Sequence, residues 1–299
     1  MVLHKSIFWG RITLGKSCGS KKNIAKFVNI CYHTGILWQE GEDMEQQITI
    51  TRGTNGIPCR ISEPEGIPVR RAILSIHGLG GSSMDAIQQG IAEEMMLFGT
   101  ATVRFDLPAH GENPVRELTL HGCVETVMAV GAYLRERYAD VEDLCIFATG
   151  FGAYVTLVAL PGLLDLADKI KLVIQTPSVR MDETILSMLR TSRETLQAMD
   201  RITLPAPRPF DVTYRFYEEL RSNIVLTEQP IPMLVLHSEE NLYIRMQDVR
   251  QFMQMNEDAR LVIIPGTSHQ FLEEGAWDMV LDLTRDWFEF EQVLLSDWD

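Results

Sequence analysis

The chain has 299 residues, 45% of them hydrophobic and 23% charged, which is ordinary globular composition and fits one large α/β domain or two small ones. A formal charge of −14 argues against nucleic acid or an anionic membrane surface as partner. The five cysteines (Cys18, Cys31, Cys59, Cys123, Cys145) form no CxxC and no paired spacing, so a reducing, cytoplasmic setting is expected rather than a disulfide framework.

The N-terminal segment differs from the rest. Up to Gln39 it holds six Lys or Arg and no acid. It shows neither a clean apolar core followed by a small-residue cleavage site nor, at Ile24–Trp38, an uninterrupted apolar stretch long enough to span a bilayer. Residues 1–43 are therefore expected to be a poorly ordered extension, or an over-extended start with the native domain beginning at Met44. A basic amphipathic docking arm is the functional alternative.

From there, patterns of strand and helix alternate. Strands are expected at Gln46–Thr51 and Ile57–Ser62, with Gly53-Thr54-Asn55-Gly56 turning between them. Arg71–Ile76 and Ala101–Phe105 are apolar runs of the kind buried in a parallel sheet. Helices are expected at Met84–Leu97 and Thr119–Tyr138, the second with apolar residues at helical spacing. Leu144–Phe147 is another buried strand, with Cys145 inside it as a small hydrophobe. A turn of small residues follows, then a helical pattern at Tyr154, Leu157 and Val158. Further strands are expected at Lys171–Gln175, Met233–His237 and Leu261–Ile264, with helices at Arg245–Met255 and Ala276–Leu294. The rhythm argues for a doubly wound, mostly parallel sheet with helices on both faces. Residues 178–230 break that rhythm. They hold a helical stretch (Glu183–Met199), a Pro-rich corner (Leu204–Pro209) and a second helix (Asp211–Asn223), a pattern that suggests a small cap over the carboxyl ends of the strands. Met188, Met199, Phe210, Tyr214, Phe216 and Tyr217 could line a pocket there or simply pack the cap onto the body.

Four segments resemble, in order, those of the α/β-hydrolase superfamily, in particular single-domain serine hydrolases of the esterase and serine-aminopeptidase type. They are Ser75-Ile76-His77-Gly78-Leu79-Gly80-Gly81, Arg104-Phe105-Asp106-Leu107-Pro108-Ala109-His110-Gly111-Glu112, the turn Ala148-Thr149-Gly150-Phe151-Gly152, and the tail pair Leu234–Asn241 with Pro265–Phe271. The resemblance covers roughly Ile57 to Trp287 and implies the α/β-hydrolase fold. It also implies a role for each matching position. The third segment would be the nucleophile elbow, a sharp strand-to-helix turn that lifts a nucleophile above the sheet. Gly150 occupies the nucleophile position and has no side chain to attack with. Moving the frame back by one would make Thr149 the nucleophile, but then Phe147 and Phe151 fall where the turn needs tiny residues. His269 occupies the base position. Asn241 stands where an acid is expected, and an amide cannot stabilise an imidazolium; the corresponding change in a serine protease costs about 10⁴ in rate. Glu239, Glu240 and Asp182 are alternative acids. The backbone N–H groups of Leu79 and Phe151 would form the oxyanion site, aided by the positive end of the following helix. His110 is structural in this resemblance.

No His or Cys cluster has zinc spacing, no complete dinucleotide fingerprint surrounds Gly150 and Gly152, and no cofactor is implied. Three functions remain open. One is a non-catalytic protein, a pseudoenzyme, that binds a small acyl or carboxylate ligand or a protein partner under the cap. A second is an active ester hydrolase using a displaced nucleophile (Thr149, Ser268, Ser82) or a water activated by His269. The third is a lyase-like or other cofactor-free reaction with His269 as base.

Overall fold

A computed structural model describes residues 45–290 apart from positions 53, 54, 142 and 168. The expectations for residues 1–43, for a start at Met44, and for Cys18 and Cys31 lie outside these residues. The sheet is built from β1 (Glu45–Arg52), β2 (Asn55–Ser62), β3 (Arg71–Ile76), β4 (Thr100–Phe105), β5 (Asp143–Thr149), β6 (Lys169–Gln175), β9 (Met233–Glu240) and β10 (Arg260–Ser268). Their spatial order is β1-β2-β4-β3-β5-β6-β9-β10. β1 pairs antiparallel with β2, and β2 antiparallel with β4. All later pairings are parallel. The central strands are buried on both faces (β4 throughout, β3 and β5 except at their ends), which is why their sequences are continuous apolar runs rather than alternating ones.

The helices on one face are α2 (Leu120–Arg137) and α3 (Gly150–Leu164), and on the other α1 (Ala86–Met96) and α8 (Ala276–Phe290). Each face has its own apolar core. Leu74, Val127, Leu160 and Leu172 belong to the first, and Ile73, Ile91, Phe147 and Trp287 to the second. α2 begins where Thr119 Oγ1 accepts the Gly122 N–H at 3.0 Å, satisfying one of the orphan donors of its first turn. Its last turn carries Arg135 and Arg137, cations suited to the negative helix end. The expected end of α8 at Leu294 passes beyond the described residues.

Strand order reverses between β3 and β5. The chain leaves β3 toward one edge and returns to build the other, so the loops after these two strands part and leave a crevice at their carboxyl ends. The loop carrying Leu79 and the turn carrying Gly150 flank that crevice.

The segment between β6 and β9 departs from expectation in detail. The helical stretch expected at Glu183–Met199 is two helices, α4 (Met181–Met188) and α5 (Arg193–Met199). The chain breaks between them at Arg190, which has φ +51°, a conformation that ends a helix rather than continuing one. The Pro-rich corner is the tip of an antiparallel ribbon, β7 (Arg201–Leu204) with β8 (Phe210–Thr213). α6 (Tyr214–Ser222) accordingly begins three residues later than expected. Prolines that cannot donate to a ladder suit the tip of a two-stranded ribbon, and two four-residue strands leave too little alternation to read as strands. α7 (Met246–Gln254) follows β9.

Candidate active-site pocket

β5 runs straight into α3 with no loop between them. Thr149 is still extended (φ −115°, ψ 139°), and Gly150, the first residue of α3, has φ +50°. L-residues pay a steric penalty in that region and glycine does not. The space above Gly150 is open, since a Cβ built there meets only the Cα of Gly78, at 3.9 Å. Gly152 is held for the opposite reason. A Cβ there would overlap the His77 carbonyl oxygen and approach the Ile76 carbonyl oxygen to 2.8 Å, so the first turn of α3 can lie against the end of β3 only if this residue has no side chain. Gly150 therefore stands at the apex of the turn, and Thr149 precedes it in ordinary extended geometry.

The facing loop is fixed from below. The fully buried His77 donates from Nδ1 to the Gly78 carbonyl at 2.7 Å and accepts the Leu107 N–H at Nε2 at 3.0 Å. Burial holds its pKa below the usual histidine range. Asp106 accepts the Ser83 N–H at 2.7 Å and the Glu112 N–H at 2.7 Å, and its main-chain carbonyl accepts Asn113 Nδ2 at 2.8 Å. One carboxylate thus ties the loop after β3 to the loop after β4. His110 is buried at the same junction, donating from Nδ1 to the Pro108 carbonyl at 2.8 Å and lying 4.8 Å from the Phe210 ring. With the loop so anchored, Leu79 lines the crevice opposite Phe151. Phe151 lies in the first turn of α3, where backbone N–H groups have no intrahelical acceptor.

His269 follows a bulge in β10. Pairing with β9 is regular to Ile264↔Ser238, breaks, and resumes at Ser268↔Glu240. The bulge turns the chain so that His269 enters the crevice. Its partner is Asn241, with Asn241 Nδ2 3.0 Å from His269 Nδ1. The amide's orientation is not free. Asn241 Oδ1 accepts the backbone N–H of Tyr243 at 3.0 Å and of Ile244 at 2.9 Å. Those two donors cannot act as acceptors, so the oxygen must face them. The NH₂ group therefore faces His269, donating to its Nδ1 and also to Ser238 Oγ at 2.9 Å. An imidazole nitrogen that accepts carries no proton, so the hydrogen of neutral His269 sits on Nε2. Burial lowers its pKa, which favours the neutral ring. Tyr243 packs edge-on to the ring, with centroids 5.1 Å apart.

Between these elements lies a cavity of about 400 Å³. The residues expected at the site all line it except Asn241, which reaches it only through His269. The alternative acids are elsewhere. Glu239 accepts the Gly266 N–H at 2.8 Å, Glu240 is exposed, and Asp182 lies in the first turn of α4. Of the displaced nucleophiles considered, Thr149 lines the cavity and Ser82 and Ser268 do not. Among the six apolar and aromatic residues suggested for the pocket, only Met188 lines it. Phe210, Phe216 and Tyr217 are buried in the core, Tyr214 packs against that core, and Met199 is exposed. The ribbon and α6 bring their aromatic faces to the body, so these rings serve packing. Other lining residues, Gln175, Trp277, Asp85 and Ile244, carry no motif. Gln175 alone had a signal, as a polar residue ending an apolar strand.

No protein-family model matches the sequence, and no curated protein matches it. Solved structures do match. Est1E from Butyrivibrio proteoclasticus, with ferulic acid bound, superposes with a TM-score of 0.71 at 18% identity, over 82% of this chain and 98% of that one. Alpha/beta hydrolase domain-containing protein 10 from mouse gives 0.65 at 16% identity, over 83% and 100%. The chain has the α/β-hydrolase fold. A dienelactone hydrolase from Anabaena variabilis is a further neighbour, with a TM-score of 0.56 at 19% identity, over 82% of this chain and 98% of that one. The mostly parallel sheet with helices on both faces is the one expected from the sequence. Among the described residues, no helix is long and apolar enough to cross a membrane, and no group of side chains could hold a metal ion. Cys59, Cys123 and Cys145 are free thiols, all buried.

Proposed function

We propose that this α/β-hydrolase-fold chain is a non-catalytic binding protein, a pseudoenzyme, whose pocket takes a small acyl or carboxylate ligand. The observation that carries the reading is the polarity of the His269–Asn241 pair. A general base must accept a proton at the nitrogen facing the substrate. In a serine-hydrolase triad the acid accepts the Nδ1 proton and leaves Nε2 free to do so. Here the amide donates to Nδ1, and Nε2 presents a proton instead. Gly150 removes the nucleophile at the same site, and an active hydrolase using His269-activated water is disfavoured because the ring has no free lone pair to offer. The N–H groups of Leu79 and Phe151 and the Nε2–H of His269 are donors, which suits an acyl or carboxylate oxygen. The neighbour Est1E was solved with a carboxylic acid, ferulic acid, which is consistent with that ligand class. Buried free cysteines support a reducing, cytoplasmic setting.

The test is hydrolysis of p-nitrophenyl acetate and butyrate by the native chain beside Gly150→Ser, Asn241→Asp. The native chain is expected to be silent and the double variant to turn over. Gly150→Ser alone should fall about 10⁴-fold below the double variant, because Asn241 still holds His269 in the non-accepting tautomer. Native hydrolysis abolished by His269→Ala would overturn the reading.

A further inference from the structure

The cavity contains a polar side chain that no part of this reading uses. Gln175 ends β6, register-paired with Thr149, the residue before the elbow. Adjacent strands lie about 4.8 Å apart, so Gln175 stands beside the strand end that leads into Gly150. Gln175 is 4% exposed and lines the cavity, yet its Oε1 has no hydrogen-bond partner. A buried acceptor left unpaired carries the full desolvation penalty of that group, so an unsatisfied carboxamide in the wall of a ligand cavity calls for a ligand partner. The elbow itself presents only donors, namely Leu79 N–H, Phe151 N–H and His269 Nε2–H. Trp277, whose Nε1–H also has no partner, is another residue of the cavity wall. No Lys or Arg lines it, whereas the acidic residue Asp85 does, so a neutral ligand is favoured over a free anion.

We propose that Gln175 is a ligand-contacting, specificity-determining residue, and that the pocket takes a neutral acyl compound, an ester or amide, with a hydroxyl on its α- or β-carbon. The carbonyl oxygen sits among the elbow donors and the hydroxyl meets the Gln175 carboxamide. A hydroxyl both donates and accepts, so it satisfies the carboxamide in either orientation, which a methyl group cannot do.

The inference rests on the pocket being an acyl-binding site, and the experiment separates the two. The full native chain is titrated by ¹H–¹⁵N NMR with methyl lactate against its isostere methyl isobutyrate, and with methyl 3-hydroxybutyrate against methyl 3-methylbutyrate. At least one hydroxy ester is expected to bind about tenfold more tightly than its isostere. In Gln175→Leu that preference should fall below about twofold while the isosteres keep their affinity. Gln175→Met, close in volume to glutamine, serves the same purpose if the leucine variant fails to fold. Equal affinity within both pairs, or a preference that survives both substitutions, overturns the role of Gln175 and leaves the acyl-binding reading intact. Absence of binding by all four esters overturns both. Tighter binding of free lactate than of methyl lactate overturns the neutral-ligand assignment.

Discussion

At the residue scale, Gly150 and Asn241 set what the pocket can do. Gly150 keeps the backbone conformation of the elbow, φ +50°, in a space that admits a side chain. A serine there would hold the conformation at a strain of roughly 1–3 kcal/mol, which glycine avoids. Asn241 donates to His269, where a carboxylate in its place would accept. The difference is measurable. Long-range ¹H–¹⁵N correlation of the histidine rings at neutral pH should show His269 as the Nε2–H tautomer in the native chain. It should show Nδ1–H in Asn241→Asp, where the carboxylate accepts. A native His269 with its proton on Nδ1 would contradict the amide orientation set by Tyr243 and Ile244.

At the element scale, the ribbon β7–β8 acts as a clip across the crevice. Its tip carries Pro207 into the cavity wall and sets Arg208 over the loop after β4. There Nη1 lies within hydrogen-bond distance of the carbonyls of His110 at 2.9 Å, Gly111 at 2.6 Å and Asn113 at 2.7 Å. Its two hydrogens are shared among these three acceptors, and the fixed positive charge strengthens each contact. The same loop is held from the other side by Asp106, and Gly111 can lie over that carboxylate only because it lacks a Cβ. α6 is tied down separately, through Tyr154 of α3, whose hydroxyl donates to the Asn223 carbonyl at 2.8 Å. Arg208→Ala should cost about 1–2 kcal/mol in chemical denaturation, the loss of charge-assisted bonds at a half-exposed site. It should also speed amide hydrogen exchange in the ribbon tip and in residues 110–113. Unchanged exchange would mean that Phe210 packing alone holds the ribbon.

At the scale of the whole molecule, the sheet buries histidines that the pocket does not use. Burial pushes the His110 pKa down to about 3, with His77 adding to the effect. Burial and the nearby His269 push His237 down to about 4. In the unfolded chain each returns to about 6.5. Between the two values the unfolded state binds the extra proton, so this contribution to stability is complete above about pH 6.5 and is lost as pH falls toward 3–4. Each such histidine adds a slope of up to about 1.4 kcal/mol per pH unit in that window. The urea midpoint should therefore drop between pH 7 and pH 5, before most carboxylates titrate, and His237→Leu should flatten the drop by about one proton. A midpoint that does not move over this range would show that these rings are charged or exposed in the native protein.

Much of this was legible in the chain itself. Apolar runs such as Arg71–Ile76 and Leu144–Phe147 specify buried parallel strands because a strand covered on both faces has no polar side to alternate. The small residues around Gly150 specify the elbow because backbone crowding there excludes a Cβ, as Gly152 demonstrates. Glycine at 150, asparagine at 241 and histidine at 269 are read directly from position in that frame. The insertion was less legible. Short strands carry little periodicity, and its aromatic residues fit a pocket or a core equally well until packing decides. Tertiary structure alone settled the direction of the His269–Asn241 bond, because it depends on where the N–H groups of Tyr243 and Ile244 point. It likewise settled the company of Gln175, since hydrogen-bond polarity and the pairing of a buried atom are properties of three-dimensional neighbours that linear order does not contain.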